Sequence, residues 1–289
     1  MGKDDVISKV WIALLAEGHV LLEDVPGVGK TTMALAFSRA LGLDTKRIQF
    51  TPDTMPSDII GFSMPGKDGM VYQPGAIMTN LLLADEINRT SSKTQAALLE
   101  AMEEGNVTVE GKTYTLPRPH LVIATQNPLG CVGTQSLPES QLDRFLMRLH
   151  MGYPEIQDEV AILKGHAARD PLEDVQPVCT PEQLEALQQQ VAAVYVDDRL
   201  YYYAASVSRA TREHPQAVLG VSPRGTLALI QSAKAMAMLR GRDYLLPDDI
   251  MPLCQDVLAH RILTKGGVAA EQVLDEVLHQ VPAPMPDRR

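Results

Sequence analysis

Between a short apolar run, His19–Glu23 (HVLLE), and a helix-like stretch, Thr31–Leu41, the chain reads Asp24-Val25-Pro26-Gly27-Val28-Gly29-Lys30-Thr31-Thr32. No other segment restricts the fold as much. A strand that enters a Gly-rich loop and leaves through Lys-Thr into a helix is the setting of a phosphate-binding loop. Gly27 and Gly29 let backbone N–H groups turn inward around phosphate oxygens. The helix that follows aims its positive dipole end at the same anion. Lys30 is placed to reach the β- and γ-phosphates of a nucleotide, and the Thr31 hydroxyl to bind Mg²⁺. The expected nucleotide contacts are therefore Pro26, Gly27, Val28, Gly29, Lys30, Thr31 and Thr32. The common pattern, G-x-x-x-x-G-K-[ST], begins with glycine where this chain has Asp24. A carboxylate there would repel phosphate, so Asp24 is expected to point away.

Two further apolar runs end on polar residues. Leu81–Ala84 stops at Asp85-Glu86, and His120–Thr125 stops at Gln126-Asn127-Pro128. Ligands of open α/β sheets bind at the carboxyl ends of the strands. Asp85 is expected to hold the magnesium shell and Glu86 to orient and polarise the attacking water. Asn127 could bond the γ-phosphate or that water, although Asn-Pro by itself is a turn signal. In Leu142-Asp143-Arg144-Phe145, the guanidinium of Arg144 is a permanent planar cation suited to a transferring phosphoryl group. A surface ion pair with Asp143 or Glu139 is the alternative, and Arg148 is a competing cation.

Short apolar strands alternating with helices predict an α/β fold, a parallel sheet with helices on both faces. Val107–Leu116 alternates around Glu110-Gly111 and reads as a hairpin. After Tyr153-Pro154 the pattern turns helical, over 155–168, 181–194, 198–213, 223–240 and 247–260. The expected organisation is an α/β nucleotide-binding domain over 1–153, a helical domain over 154–281 and a loose, proline-rich tail over 282–289. With 36 acidic against 26 basic residues the net charge is −10, so the chain has no global attraction for nucleic acid. Cys131, Cys179 and Cys254 show no C-x-x-C spacing, and the seven histidines form no H-x-x-x-H pair. Neither a disulfide framework nor a zinc hydrolase is supported, and no G-x-S-x-G elbow suggests an α/β-hydrolase. No apolar run reaches the ~18 residues of a membrane span, and the N-terminus makes a poor secretion signal. No membrane insertion is expected, and a cytoplasmic location fits the cysteine usage best.

GVGKT, LLLADEIN, ATQNP, LPESQLDRF and VSPRGT stand in the order of an AAA+ ATPase. More narrowly, the chain resembles a MoxR-type AAA+ ATPase, through RIQFTPDTMPSDIIG, LADEINR, QAALLEAMEEGNVTV, LPESQLDRF and TREHP. The likeness covers about residues 2–265. It implies a P-loop NTPase αβα sandwich with a parallel sheet, followed by an all-helical lid domain. It implies ATP and Mg²⁺ as cofactors, ATP hydrolysis, and a homo-oligomeric ring, usually a hexamer, with ATP between protomers. It implies a chaperone-like role in remodelling or maturing a client protein, commonly alongside a protein with a von Willebrand factor A domain. Carried over residue by residue, Arg144 becomes the arginine finger, Asn127 the sensor-1 residue, and Arg224 the sensor-2 arginine. From the residues alone, an ion pair with a carboxylate is the alternative for Arg224. Its place in the first turn of a helix disfavours a cation, a conflict that a phosphate partner would relieve. Gly18 and His19 fall near the adenine, with a strand-entry histidine as the alternative reading of His19. Relatives carry a further N-terminal helix before Met1-Gly2-Lys3-Asp4, so the base pocket is expected to be incomplete. Phe62–Pro74 and Val107–Leu116 become two family inserts that could touch substrate or partner, or be ordinary surface hairpins. The rival readings are a metal-chelatase-like motor subunit, a DNA-translocating motor, and an ATP-gated scaffold with little turnover.

Overall fold

The computed structural model describes residues 2–24, 27–67, 69–127, 137–166 and 171–284. The chain opens on α1 (Asp4–Leu15), which buries Val6, Val10 and Ile12–Leu15. β1 (Val20–Glu23) and α2 (Lys30–Leu41) flank the Gly-rich loop. β2 (Thr45–Gln49), α3 (Pro56–Ile60) and the hairpin of β3 (Phe62–Gly66) and β4 (Gly69–Gln73) come next. β5 (Leu81–Asp85), α4 (Ser92–Glu104), a second hairpin of β6 (Asn106–Val109) and β7 (Lys112–Thr115), and β8 (Leu121–Gln126) complete the first half. The remainder runs α5 (Glu139–Leu142), β9 (Met147–Leu149), α6 (Ile156–His166), α7 (Pro181–Ala193), α8 (Asp198–Glu213), β10 (Ala217–Leu219) and α9 (Pro223–Leu239). It ends with α10 (Pro247–Ile250), α11 (Cys254–Leu258), β11 (Leu263–Thr264) and α12 (Ala270–Gln280).

The main sheet has five strands in the order β2-β5-β8-β1-β9. β2, β5, β8 and β1 pair in parallel. All of β5, and β8 up to Thr125, is buried, as a parallel sheet covered on both faces requires. Register then fixes the functional edge. Glu23 lies opposite Gln126, Ala84 opposite Ala124, and Gln49 opposite Asp85. Four strands therefore deliver their carboxyl ends side by side.

The chain forms two compact units: residues up to 137 with 149–185, and 138–148 with 186 onward. The expected boundary at 153 does not coincide with this division. Residues 154–185 belong with the first unit because the segment bonds back to α2: the Val178 N–H donates to the Ala40 carbonyl at 2.7 Å. The single helix expected over 247–260 is broken into α10, a 3₁₀ turn at Met251–Leu253, α11 and a second 3₁₀ turn. Pro252 supplies the reason, since it has no N–H to continue the ladder and crowds the preceding turn. Of the three successive tyrosines of α8, Tyr203 is 4% exposed and Tyr202 76%, so one ring alone enters the core fully. No helix among the described residues is long and apolar enough to cross a membrane. The last tail residues, 285–289, lie outside the described residues.

Candidate active site

The loop between β1 and α2 takes its shape from two glycines. Gly27 has φ 86° and Gly29 φ 92°, left-handed values that a side chain would strain. Among the described residues, no atom lies within 4 Å of where a Cβ would stand at either. Lys30 begins α2, and among the described residues no side chain caps the helix start. The positive end of this 12-residue helix's dipole faces the loop, a setting that favours an anion. Thr31 and Val28 are half-buried and Thr32 is exposed; Pro26, Pro128 and Cys131 lie outside the described residues.

Asp24 does point its carboxylate elsewhere. The amides of Met151 and Gly152 both donate to its Oδ2, the latter at 3.0 Å. Its carbonyl oxygen accepts from Lys30 Nζ at 2.9 Å. Burial pulls Lys30 down from its ordinary pKa, and the charges of Asp24, Asp85 and Glu86 oppose that pull. The ammonium thus sits within the field of the strand-end carboxylates.

Asp85 and Glu86 are fixed by one residue of the neighbouring strand. The Thr125 hydroxyl accepts from the Glu86 N–H at 2.9 Å and donates to Asp85 Oδ1 at 3.3 Å. The other Asp85 oxygen accepts from Arg47 Nε at 2.7 Å. Glu86 itself has φ 57°, a left-handed conformation uncommon for a residue with a Cβ, which turns the chain sharply off β5. Its Oε2 accepts from Gln49 at 2.9 Å and from Arg89 at 2.8 Å. Asn127 is half-buried just past β8, and its carbonyl accepts from Asn88 at 3.2 Å. Lys30, Asp85, Glu86 and Asn127 therefore all belong to one sheet edge.

The His19 ring is turned into the protein. Its imidazole is buried, with Nδ1 accepting from the Val122 N–H and Nε2 bonded to the Met102 carbonyl, both at 3.1 Å. Both ring nitrogens are spent on the backbone, which fixes the neutral Nε2–H tautomer. Burial and the nearby His120 push its pKa down to about 3. Gly18 donates its N–H to Ala13 of α1 at 2.8 Å.

Arg144 and Arg224 belong to the second unit. Arg144 is half-buried behind α5, and Arg224 is exposed in the first turn of α9. Asp143 is not available to Arg144 alone, because its carboxylate holds Arg261 and Ser222. The competing Arg148 donates to Glu271 of α12 at 2.8 Å.

Residues 19–147 fit the family model of the ATPase family associated with various cellular activities (AAA), and residues 209–280 fit the AAA lid domain. The chaperone MoxR1 of Mycobacterium tuberculosis is 38% identical over 96% of this chain and 76% of its own length. The chain belongs to the MoxR family of AAA ATPases. The YeaC protein of Bacillus subtilis is 49% identical over 99% of this MoxR-family chain and 91% of its own. A Cytophaga hutchinsonii crystal structure carrying an ATPase assignment superposes with a TM-score of 0.91 at 34% identity, covering 98% of this chain and 91% of that one. The protein is thus a MoxR-type ATPase, an αβα nucleotide-binding domain with a helical lid domain.

Within this MoxR-type site, sequence reasoning passed over Thr125, Arg47, Gln49 and Arg89. Thr125 stood inside the quoted ATQNP with no role given. Arg47 and Gln49 carried a weak signal, as alternate residues of one strand put their side chains on the same face. Their strand lacks the apolar run that drew notice to β5 and β8.

Proposed function

We propose that this MoxR-type ATPase hydrolyses ATP with Mg²⁺ between adjoining copies in a ring, a hexamer, and uses the cycle to remodel or mature a partner protein in the cytoplasm. The observation that carries the hydrolytic part is the Thr125 hydroxyl joining Asp85 to Glu86, beside a lysine that feels both charges. In this reading the backbone of residues 26–29 and the first turn of α2 cradle the phosphates, with Lys30 and Thr32 at their rim. Thr31 and Asp85 hold the metal; the donor set, a hydroxyl and a carboxylate, suits a hard divalent cation. When bound, Mg²⁺ neutralises charge on the phosphate oxygens. Glu86 and Asn127 place the attacking water. Gly18 and His19 approach the base through their backbone, since the His19 ring is already committed. Arg144 reaches the nucleotide of a neighbouring copy, and Arg224 adds positive charge from the lid. The name of the mycobacterial relative supports a client-protein role, and a protein with a von Willebrand factor A domain is the partner we expect.

Turnover of the wild type beside Glu86→Gln tests the enzymatic claim, with an expected loss of at least a hundredfold and ATP binding retained. Equal rates would sink it. Arg144→Ala should bind ATP and lose about 10³-fold or more in turnover, the scale of a missing arginine finger. Mixing it with Glu86→Gln should partly restore activity, because a mixed interface pairs an intact Glu86 with an intact Arg144. No rescue in an assembled mixture would rule out sites shared between subunits.

A further inference from the structure

The second unit contains a polar cluster that the reading above leaves without a role. Arg261, 4% exposed, follows α11 and spends its guanidinium on the segment around Arg144. Its Nη1 donates to the Asp143 carbonyl at 2.8 Å and to the Asp143 carboxylate, and its Nη2 donates to the Phe145 carbonyl at 2.6 Å. Its Nε donates to Val257 at 2.8 Å, so the fork is held from behind as well. The same Asp143 carboxylate accepts from the Ser222 hydroxyl at 3.0 Å. Ser222 is the N-cap of α9, and its oxygen accepts from the Gly225 N–H at 3.2 Å. One chain of bonds thus runs from the residue before Arg144 to the helix turn that carries Arg224.

Gly225 belongs to the same arrangement. A Cβ there would stand 2.7 Å from Arg261 Cδ and 2.7 Å from Val221 Cγ1. The glycine after Arg224 is thus a matter of space, since its absent side chain admits the Arg261 stem against α9. Burial draws Arg261 below its ordinary pKa, Asp143 opposes, and the positive charge of Arg224 adds to the pull, so the two guanidinium groups feel each other. A buried ion pair is a weak source of stability, because desolvation offsets its attraction; a well-packed apolar pair would serve as well. What directional, charge-assisted bonds add is a fixed geometry.

We infer that Asp143 and Arg261 are positioning residues, a clamp that presents Arg144 and Arg224 as one rigid pair. This rests on the phosphate-sensing roles proposed above for those two arginines. If the clamp loosens, both arginines remain in the protein, but their spacing is no longer set.

The test uses Asp143→Asn, Gly225→Ala and Arg261→Lys in the full chain, with thermal midpoints confirming that each folds. The expected result is a drop in kcat of tenfold or more with the Kd of a fluorescent ATP analogue changed less than twofold. Adding Asp143→Asn to an Arg144→Ala, Arg224→Ala background should cost nothing further. Full kcat in folded variants while Arg144→Ala and Arg224→Ala lose turnover, or losses that multiply in the combined variant, would overturn the clamp. Should Asp143→Asn fail to fold, Gly225→Ala carries the same comparison, since it displaces Arg261 without removing a charge. Amide hydrogen exchange separates this inference from the reading beneath it. Faster exchange at 144–146 and Gly225 in Asp143→Asn supports the clamp even if Arg144→Ala and Arg224→Ala leave kcat untouched, a result that would count against the arginine roles alone. Unchanged exchange at those amides refutes the clamp whatever the arginines do.

Discussion

Thr125 performs two tasks with one hydroxyl, taking a hydrogen bond from the Glu86 amide and giving one to Asp85. The first secures a backbone conformation that costs a non-glycine residue about 1–2 kcal/mol. The second fixes one oxygen of the buried aspartate while Arg47 takes the other. Thr125→Val keeps the shape and removes both bonds. The Glu86 N–H is then left without this acceptor, a loss of about 1–3 kcal/mol. We expect an unfolding free energy from urea titration lower by that amount, together with at least a tenfold fall in ATP turnover. A variant that loses stability but keeps full turnover would show that Thr125 supports the fold alone. The half-exposed Arg47 should matter less for stability, since a partner in water contributes about 0–1 kcal/mol.

The two hairpins of the first unit are joined. Tyr72 of β4 stacks on Tyr114 of β7 with ring centroids 3.9 Å apart and planes 14° from parallel. The Tyr72 hydroxyl also donates to the Ile60 carbonyl at 2.6 Å, anchoring the pair to the end of α3. Such a stack contributes about 0.5–1.5 kcal/mol beyond buried area. Tyr114→Ala should lower the unfolding free energy from urea titration by at least that amount and Tyr114→Phe should restore it; equal free energies would mean the rings meet without consequence. The second hairpin was legible because Glu110 and Gly111 form a two-residue turn, and both adopt positive φ, at 49° and 78°. The stack was not legible, since nothing in local alternation pairs residue 72 with 114. β5 and β8 could be read because burial on both faces leaves an unbroken apolar run that stops where the polar edge begins. β2 could not: its Thr-Lys-Arg-Ile-Gln stretch is half exposed and lies at the rim of the sheet. α1 and α12 are absent from the helices that the sequence pattern predicts.

Acid should soften the whole molecule through its buried imidazoles. Burial lowers the pKa of His19 to about 3 and lowers His120 in the first unit and His260 in the second. The unfolded chain titrates these groups near 6.5, so below that pH it binds protons that the folded chain refuses. Stability is therefore held above about pH 6.5 and falls as pH drops toward the folded values. For His19 alone the loss by pH 5 is about 2 kcal/mol, from roughly 1.4 kcal/mol per pH unit. Thermal midpoints between pH 7 and pH 5 should decline steeply for the wild type and less steeply for His19→Gln; parallel slopes would contradict the assignment. Asp249, whose carboxyl is held below its usual range by Arg242 against the cost of burial, enters only at lower pH. A final consequence belongs to Asp24. Two amides of the segment that follows β9 receive its carboxylate, so an acid at the head of this loop is held off the space a phosphate would take. A search template that insists on glycine at that point would pass over this chain, whereas one that admits an acid would keep it.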